Sequence, residues 1–154
     1  MLFRSGGQLI KMEALANGYD EAIALGPDGL ISEGSGQNVF LVQKGVVFTT
    51  TTNGTLLPGI TRDSIITLAR EAGLEVREQP LQREMLYTAD EIFLTGTASE
   101  VTPVRSVDRI KVGLGRAGEV TKVLQRTFLD LVHGKIDDKY QWLCHVRAER
   151  ASAT

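Results

Sequence analysis

Polar and apolar positions change period several times along the chain, and each change marks an element. The clearest helical pattern opens at Leu57-Pro58-Gly59-Ile60-Thr61-Arg62-Asp63, carries Ile65, Ile66, Leu68, Ala69 and Ala72 on one face, and stops at Gly73. A second amphipathic helix is predicted over 120–133, with Val123, Leu124, Thr127, Phe128 and Leu131 facing inward. A third, over 9–17, sets Leu9, Met12 and Ala16 on one side and ends at Gly18, and Ser5-Gly6-Gly7 is expected to break any helix begun before it. Short apolar runs at 21–25, 30–31, 39–42, 46–48, 74–78, 89–96, 101–104 and 109–112 read as strands. A short helix is expected at 82–88, a hairpin turn at Lys44-Gly45, and loops at 49–55 and 113–118. No repeat, low-complexity linker or domain boundary interrupts the series, so the expectation is one α/β (α+β) domain over 1–154.

Bulk properties narrow the class without naming a function. A chain of 154 residues can bury one full core. Its formal net charge of −2 offers no electrostatic case for nucleic acid or an anionic membrane. No apolar run reaches the length of a membrane span and no signal peptide is visible. A single cysteine, Cys144, excludes an intrachain disulfide and suits a reducing cytoplasm. His133 and His145 are isolated, so no metal site is expected, and His133 reads as a solvent-facing helix end. Met12 and Met85 read as core fillers, and Trp142-Leu143 as a docking point ahead of a polar tail over 147–154.

The candidate chemistry lies in three corners. Ser32-Glu33-Gly34-Ser35-Gly36-Gln37-Asn38 leads into a buried-type strand, with Glu33 as its one charge; glycines there let backbone approach a ligand closely. A carboxylate so placed suits a cationic ligand group such as a protonated ring nitrogen, or is simply part of a polar turn. At Pro58-Gly59-Ile60-Thr61 a helix begins with free amides and the positive end of its dipole facing outward, which suits a phosphate. Thr95-Gly96-Thr97-Ala98-Ser99 follows a buried strand with amides and hydroxyls able to hold a carboxylate or phosphate oxygen. By contrast, Gly113-Leu114-Gly115-Arg116-Ala117-Gly118 matches G-x-G-x-x-G in the wrong place, near the chain end and with no strand to follow, and is set aside as a dinucleotide site.

Taken in order, these corners resemble a known family. Gly18-Tyr19-Asp20-Glu21-Ala22-Ile23, Ser32 to Phe40, Leu57 to Asp63, Leu86-Tyr87-Thr88-Ala89-Asp90-Glu91 and Phe93 to Val104 together resemble the C-terminal domain of branched-chain amino-acid aminotransferases, of the fold-type IV pyridoxal-phosphate class. The resemblance runs from about Ile10 to about Val146. It implies a mixed sheet or pseudo-barrel with flanking helices, a cofactor-binding domain over 10–146, and pyridoxal 5'-phosphate as cofactor. It further implies that Glu33 pairs with the pyridinium nitrogen and that Ile60, Thr61 and Thr97 hold the phosphate. Asn38, Leu57, Gly59 and Gly96 complete the cradle, and Thr97 and Ala98 receive the substrate carboxylate. The implied reaction moves an amino group between leucine, isoleucine or valine and 2-oxoglutarate, in a homodimeric parent. Two positions depart from the family: Gln37 stands where glutamate is usual and Glu119 where proline is usual.

Registered on Glu13-Ala14, the family's Schiff-base lysine falls just ahead of Met1, and Phe3-Arg4 replaces an Asn-Tyr pair. The expectation is therefore a chain without the N-terminal domain or the covalent anchor, inactive alone, with Lys11 as the one substitute to consider. Exposed apolar surface is expected where the other domain would dock. A non-catalytic cofactor-binding or assembly module, and a D-amino-acid aminotransferase or aminodeoxychorismate lyase relative, are the alternatives.

Overall fold

The computed structural model describes residues 2–52 and 56–144. His145, Val146 and the 147–154 tail lie outside them, as does part of the 49–55 loop. The elements run α1 (Leu2–Ala16), β1 (Ile23–Leu25), β2 (Ile31–Gly34), β3 (Asn38–Gln43), β4 (Val46–Thr49), α2 (Ile60–Glu71), β5 (Val76–Glu78), α3 (Met85–Thr88), β6 (Glu91–Gly96), β7 (Glu100–Pro103), β8 (Ser106–Val107), β9 (Ile110–Lys111) and α4 (Glu119–Val132). Five strands form one sheet in the order β5-β4-β3-β6-β7, parallel only between β4 and β5. The pairs β1-β2 and β8-β9 form two small antiparallel sheets beside it. This is the expected mixed sheet with flanking helices.

Both faces of the central strands are buried, which is why they read as unbroken apolar runs rather than alternations. Along β3, Phe40 and Val42 point to one side and Val39 and Leu41 to the other. On the first side Phe40 stacks on its cross-strand partner Phe93, ring centroids 4.9 Å apart, beneath Ile65, Ile66, Leu68 and Ala69 of α2 and Leu124 and Phe128 of α4. On the second side Ile92, Leu94 and Phe48 meet Ile31, Leu81, Leu86 and Val112. Burying one such side chain stabilises the fold by about 1.5–3 kcal/mol, so the sheet is fixed from both faces.

Three expectations change. The first helix is not broken at Ser5-Gly6-Gly7 but runs continuously from Leu2 to Ala16. Glycine costs about 1 kcal/mol in a helix, yet at Gly7 it is required sterically: a Cβ would lie 2.1 Å from the Ser35 carbonyl oxygen. The helix also turns a different face inward. Ala14 is buried, whereas Leu9, Met12 and Leu15 are exposed, so Met12 is no core filler. Val123 on α4 is likewise exposed, while Leu124, Phe128 and Leu131 are buried as expected. In the tail, Trp142 stacks on Tyr140 and stays partly exposed; the amides of Trp142 and Leu143 donate to Asp138.

Pairing of β3 with β6 sets Asn38 opposite Thr95. The turn before β3 and the turn after β6 therefore lie at the same end of the sheet, and α2 begins on the face above them.

Candidate active site

The site is built around the backbone of Leu57. Glu33, half-buried on β2, accepts the Leu57 N–H at 2.9 Å through Oε2, and Asn38, buried at the start of β3, donates from Nδ2 to the Leu57 carbonyl at 2.9 Å. Two side chains from adjacent strands thus clamp both peptide groups of the residue that leads into α2. The next contact closes the clamp. Gly59, the N-cap of α2, packs so tightly on Asn38 that a Cβ would stand 2.1 Å from Oδ1.

The start of α2 is open. Among the described residues no side chain takes the amides of Ile60, Thr61 or Arg62. Those free donors and the helix dipole make an end chemically suited to an anion. Ile60 is 84% exposed, so its side chain adds nothing to the core and its backbone is the useful part, whereas Thr61 is buried. The helix start is anchored by Arg62 instead of a cap. Its buried guanidinium donates to the Thr50 carbonyl at 2.6 Å and to Glu78 Oε2 at 2.9 Å, while Arg70 reaches the other Glu78 oxygen at 3.1 Å. The hydrogen bond from Arg62, ahead of its charge and that of Arg70, holds the Glu78 carboxyl below its usual pKa despite an opposing desolvation.

The third corner meets the first. Gln37 donates from Nε2 to Ser99 Oγ at 2.9 Å, and Gly96 lies against the Gly36 carbonyl. Thr97 and Ala98 sit exposed on the β6–β7 turn between them. Glu33 and Asn38 are therefore joined through Leu57, Gly59 packs on Asn38, and Gly96 reaches the group through the 35–37 turn. Lys11 is placed elsewhere. Its amine bridges Glu21 Oε2, at 3.2 Å, and the Asp20 carbonyl.

Glu21 is a residue that the motifs alone did not mark for the site. Its carboxylate accepts from the Ala22 amide at 2.9 Å and from the Lys11 amine at 3.2 Å. Burial pushes its pKa up, but the polar groups around it, Ser35, Ala22, Gln37 and Lys11, together outweigh burial and hold it below the usual range. Its only sequence signal was the Gly18-Tyr19-Asp20-Glu21 run, which gives no hint of contact with residue 35. The G-x-G-x-x-G stretch holds no open helix end, because Glu91 takes the first amides of α4: Val120 N–H at 3.2 Å and Thr121 N–H at 2.8 Å. A cleft of about 730 Å³ lined by α1, β1, Arg83 and residues 102–109 contains none of the sequence-predicted cofactor or substrate residues. No set of three His, Cys, Asp or Glu side chains among the described residues is grouped for a metal ion, and no helix among them is long and apolar enough to cross a membrane.

Comparison with known proteins gives the family and the fold. The sequence profile of the family Amino-transferase class IV matches residues 6–107. The branched-chain-amino-acid aminotransferase of Escherichia coli strain K12 is 56% identical over 138 residues, which is 90% of this chain and 45% of that protein. A crystal structure of the Escherichia coli branched-chain amino acid aminotransferase superposes with a TM-score of 0.87 at 55% identity, over 90% of this chain and 47% of that one. The branched-chain amino acid aminotransferase from Thermobaculum terrenum, in its PLP-bound holo-form, gives a TM-score of 0.85 at 42% identity, over 90% of this chain and 45% of that one. The chain thus spans about half the length of the relatives it matches. It belongs to the class IV aminotransferase family.

Proposed function

We propose that the chain is the cofactor-binding part of a pyridoxal 5'-phosphate-dependent transaminase that exchanges the amino group between leucine, isoleucine or valine and 2-oxoglutarate. The observation that carries this reading is the open start of α2 set beside Glu33 and Asn38. The donor set fits the cofactor. The Ile60 and Thr61 amides, with the Thr61 and Thr97 hydroxyls, would hold its phosphate. Asn38 and Gly59 fix the direction in which those amides point, and Gly96 keeps the Thr97 turn close to the 33–38 corner. Glu33 has one oxygen oriented by the Leu57 amide, which leaves the other to meet a protonated ring nitrogen. Bound there, the cofactor supplies the electron sink that lets the Cα–H bond of an amino acid ionise. The Thr97 and Ala98 backbone on the exposed turn would take the substrate carboxylate. Lys11, engaged by Glu21, serves the fold. The domain assignment over 10–146, a homodimeric whole-length protein and a cytoplasmic location belong to the same proposal.

Titration with pyridoxal 5'-phosphate, followed by absorbance and then by borohydride reduction and peptide mapping, tests it. Saturable binding that Thr61→Ala and Glu33→Gln each weaken, without a dominant adduct on Lys11, is expected. Binding that does not saturate, or that ignores both substitutions, would overturn the assignment.

A further inference from the structure

The Glu33 carboxylate lies on β2, and the free amides of Ile60 and Thr61 lie at the start of α2. The gap between them is set by whatever ties these two elements together. On the solvent side the tie is the Leu57 N–H, which donates to Glu33 Oε2 at 2.9 Å. A second tie runs behind it, inside the protein. Thr50, the residue after β4, donates from Oγ1 to the Ser32 carbonyl at 3.2 Å. Its own carbonyl accepts from Arg62 Nη2 at 2.6 Å. Ser32, Thr50 and Arg62 are all buried, so water does not compete for these bonds.

Together the links close a ring. From Glu33 it passes to the Leu57 amide, along the chain to Arg62, across to the Thr50 carbonyl, and from the Thr50 hydroxyl to Ser32, the neighbour of Glu33. The guanidinium at its turning point is not presented to a ligand. It is buried, and the second N–H of Nη2 goes to Glu78 Oε2 at 2.9 Å. Being planar and rigid, a guanidinium fixes a separation that a flexible ammonium would leave loose. A side-chain cap on α2 would have taken the amides themselves. Holding the helix from its inner side leaves those amides free and still determines where they stand.

We propose that Arg62 and Thr50 are positioning residues. Through the Ser32 carbonyl they set the gap between the Glu33 carboxylate and the α2 amides to the span of one ligand, with a ring nitrogen at one end and a phosphate at the other. This inference deepens the transaminase reading and rests on it for one point only, that a single ligand reaches both groups.

The test uses the whole chain and compares a ligand that spans the gap with one that does not. Pyridoxamine 5'-phosphate has both ends and no aldehyde to label lysines, whereas inorganic phosphate engages the helix start alone. Arg62→Lys keeps a charge for Glu78 but loses the fork. Thr50→Val keeps the branched shape and both backbone groups but loses the hydroxyl that reaches Ser32. By calorimetry, Arg62→Lys is expected to weaken pyridoxamine 5'-phosphate about tenfold and Thr50→Val about threefold. Phosphate affinity, followed by the NMR shifts of the Ile60 and Thr61 amides, is expected to change by less than about twofold in both. Equal losses for the two ligands would reduce the ring to general support of the helix, and no loss for either would remove it; each result overturns the proposal. If Arg62→Lys does not fold, Thr50→Val decides alone. Failure of wild type to bind pyridoxamine 5'-phosphate refutes the cofactor reading instead. The ring is then decided in the ligand-free chain, where Thr50→Val is expected to quicken hydrogen exchange of the Leu57 amide about fivefold and leave β3 and α4 as in wild type. Unchanged exchange at Leu57, or acceleration throughout the fold, overturns it.

Discussion

Two helices lie side by side on one face of the sheet and begin in the same way, yet their starts have opposite uses. Each follows a glycine N-cap in extended conformation, Gly59 at φ −79° and Gly118 at φ −81°, and neither N-cap offers a side chain. On α4 the missing cap is replaced from the sheet. Glu91 accepts the Val120 and Thr121 amides and the Thr121 hydroxyl, at 2.6 Å for the last, and leaves no room for a Cβ at Gly118. On α2 the corresponding strand side chain, Asn38, turns to the Leu57 carbonyl and leaves the amides free. One helix end is closed by a carboxylate; the other is steadied from behind by Arg62 and kept open. A helix end is left open here by withholding the internal anion that its neighbour receives.

The comparison can be broken from the closed side first. Glu91→Ala should strip α4 of charge-assisted hydrogen bonds at its start and cost about 2 kcal/mol of stability in urea titration. Cofactor affinity should be left close to that of wild type. A large loss of affinity with little loss of stability would show the two ends are not distinct. From the open side, Gly59→Ala forces a methyl against Asn38 Oδ1 and should displace the clamp. About tenfold weaker binding of pyridoxal 5'-phosphate is expected by absorbance titration.

Glu33→Gln keeps an oxygen for the Leu57 amide but removes the charge. It should cost about three- to tenfold in the same titration, with the unfolding midpoint unchanged. Loss of folding instead would mean that Glu33 serves mainly as a structural clamp.

The smallest expected effect concerns the anchor behind α2. Glu78 has a folded pKa below its unfolded value of about 4.5, so its stabilising pairing with Arg62 is fully present above that value. It is lost as pH falls through the lower folded value. Denaturation midpoints between about pH 5 and pH 3 should therefore drop less steeply in Glu78→Gln than in wild type. Identical slopes would remove Glu78 from the acid response.

The sequence carried the central sheet and two of the helices because their signals are local. Buried strands show unbroken apolar runs, and α2 and α4 show a 3.6-residue stripe bounded by glycine. The residues of the corners were legible as ordered motifs, and the structure gathers the first two into direct contact. The first helix departs from its expected start because propensity alone counts Gly6 and Gly7 as breakers, whereas Gly7 answers to the Ser35 carbonyl across the fold. Its inward face differs for a related reason. Leu9, Met12 and Leu15 are apolar but exposed, and the chain's own pattern cannot say which stripe meets the sheet.

What the sequence determined by itself is the inventory: which segments alternate, where a helix can begin, and which corner carries a charge. What only the tertiary structure decided is the allocation of hydrogen-bond partners. Glu91 and Glu33 are both carboxylates on strands, but one caps a helix and the other clamps a loop. Gln37 and Ser99 are 62 positions apart in the numbering yet share a hydrogen bond. A hydrogen bond depends on where two groups lie to within a fraction of an ångström, and that placement is set by packing of the whole sheet, not by the neighbours of either residue.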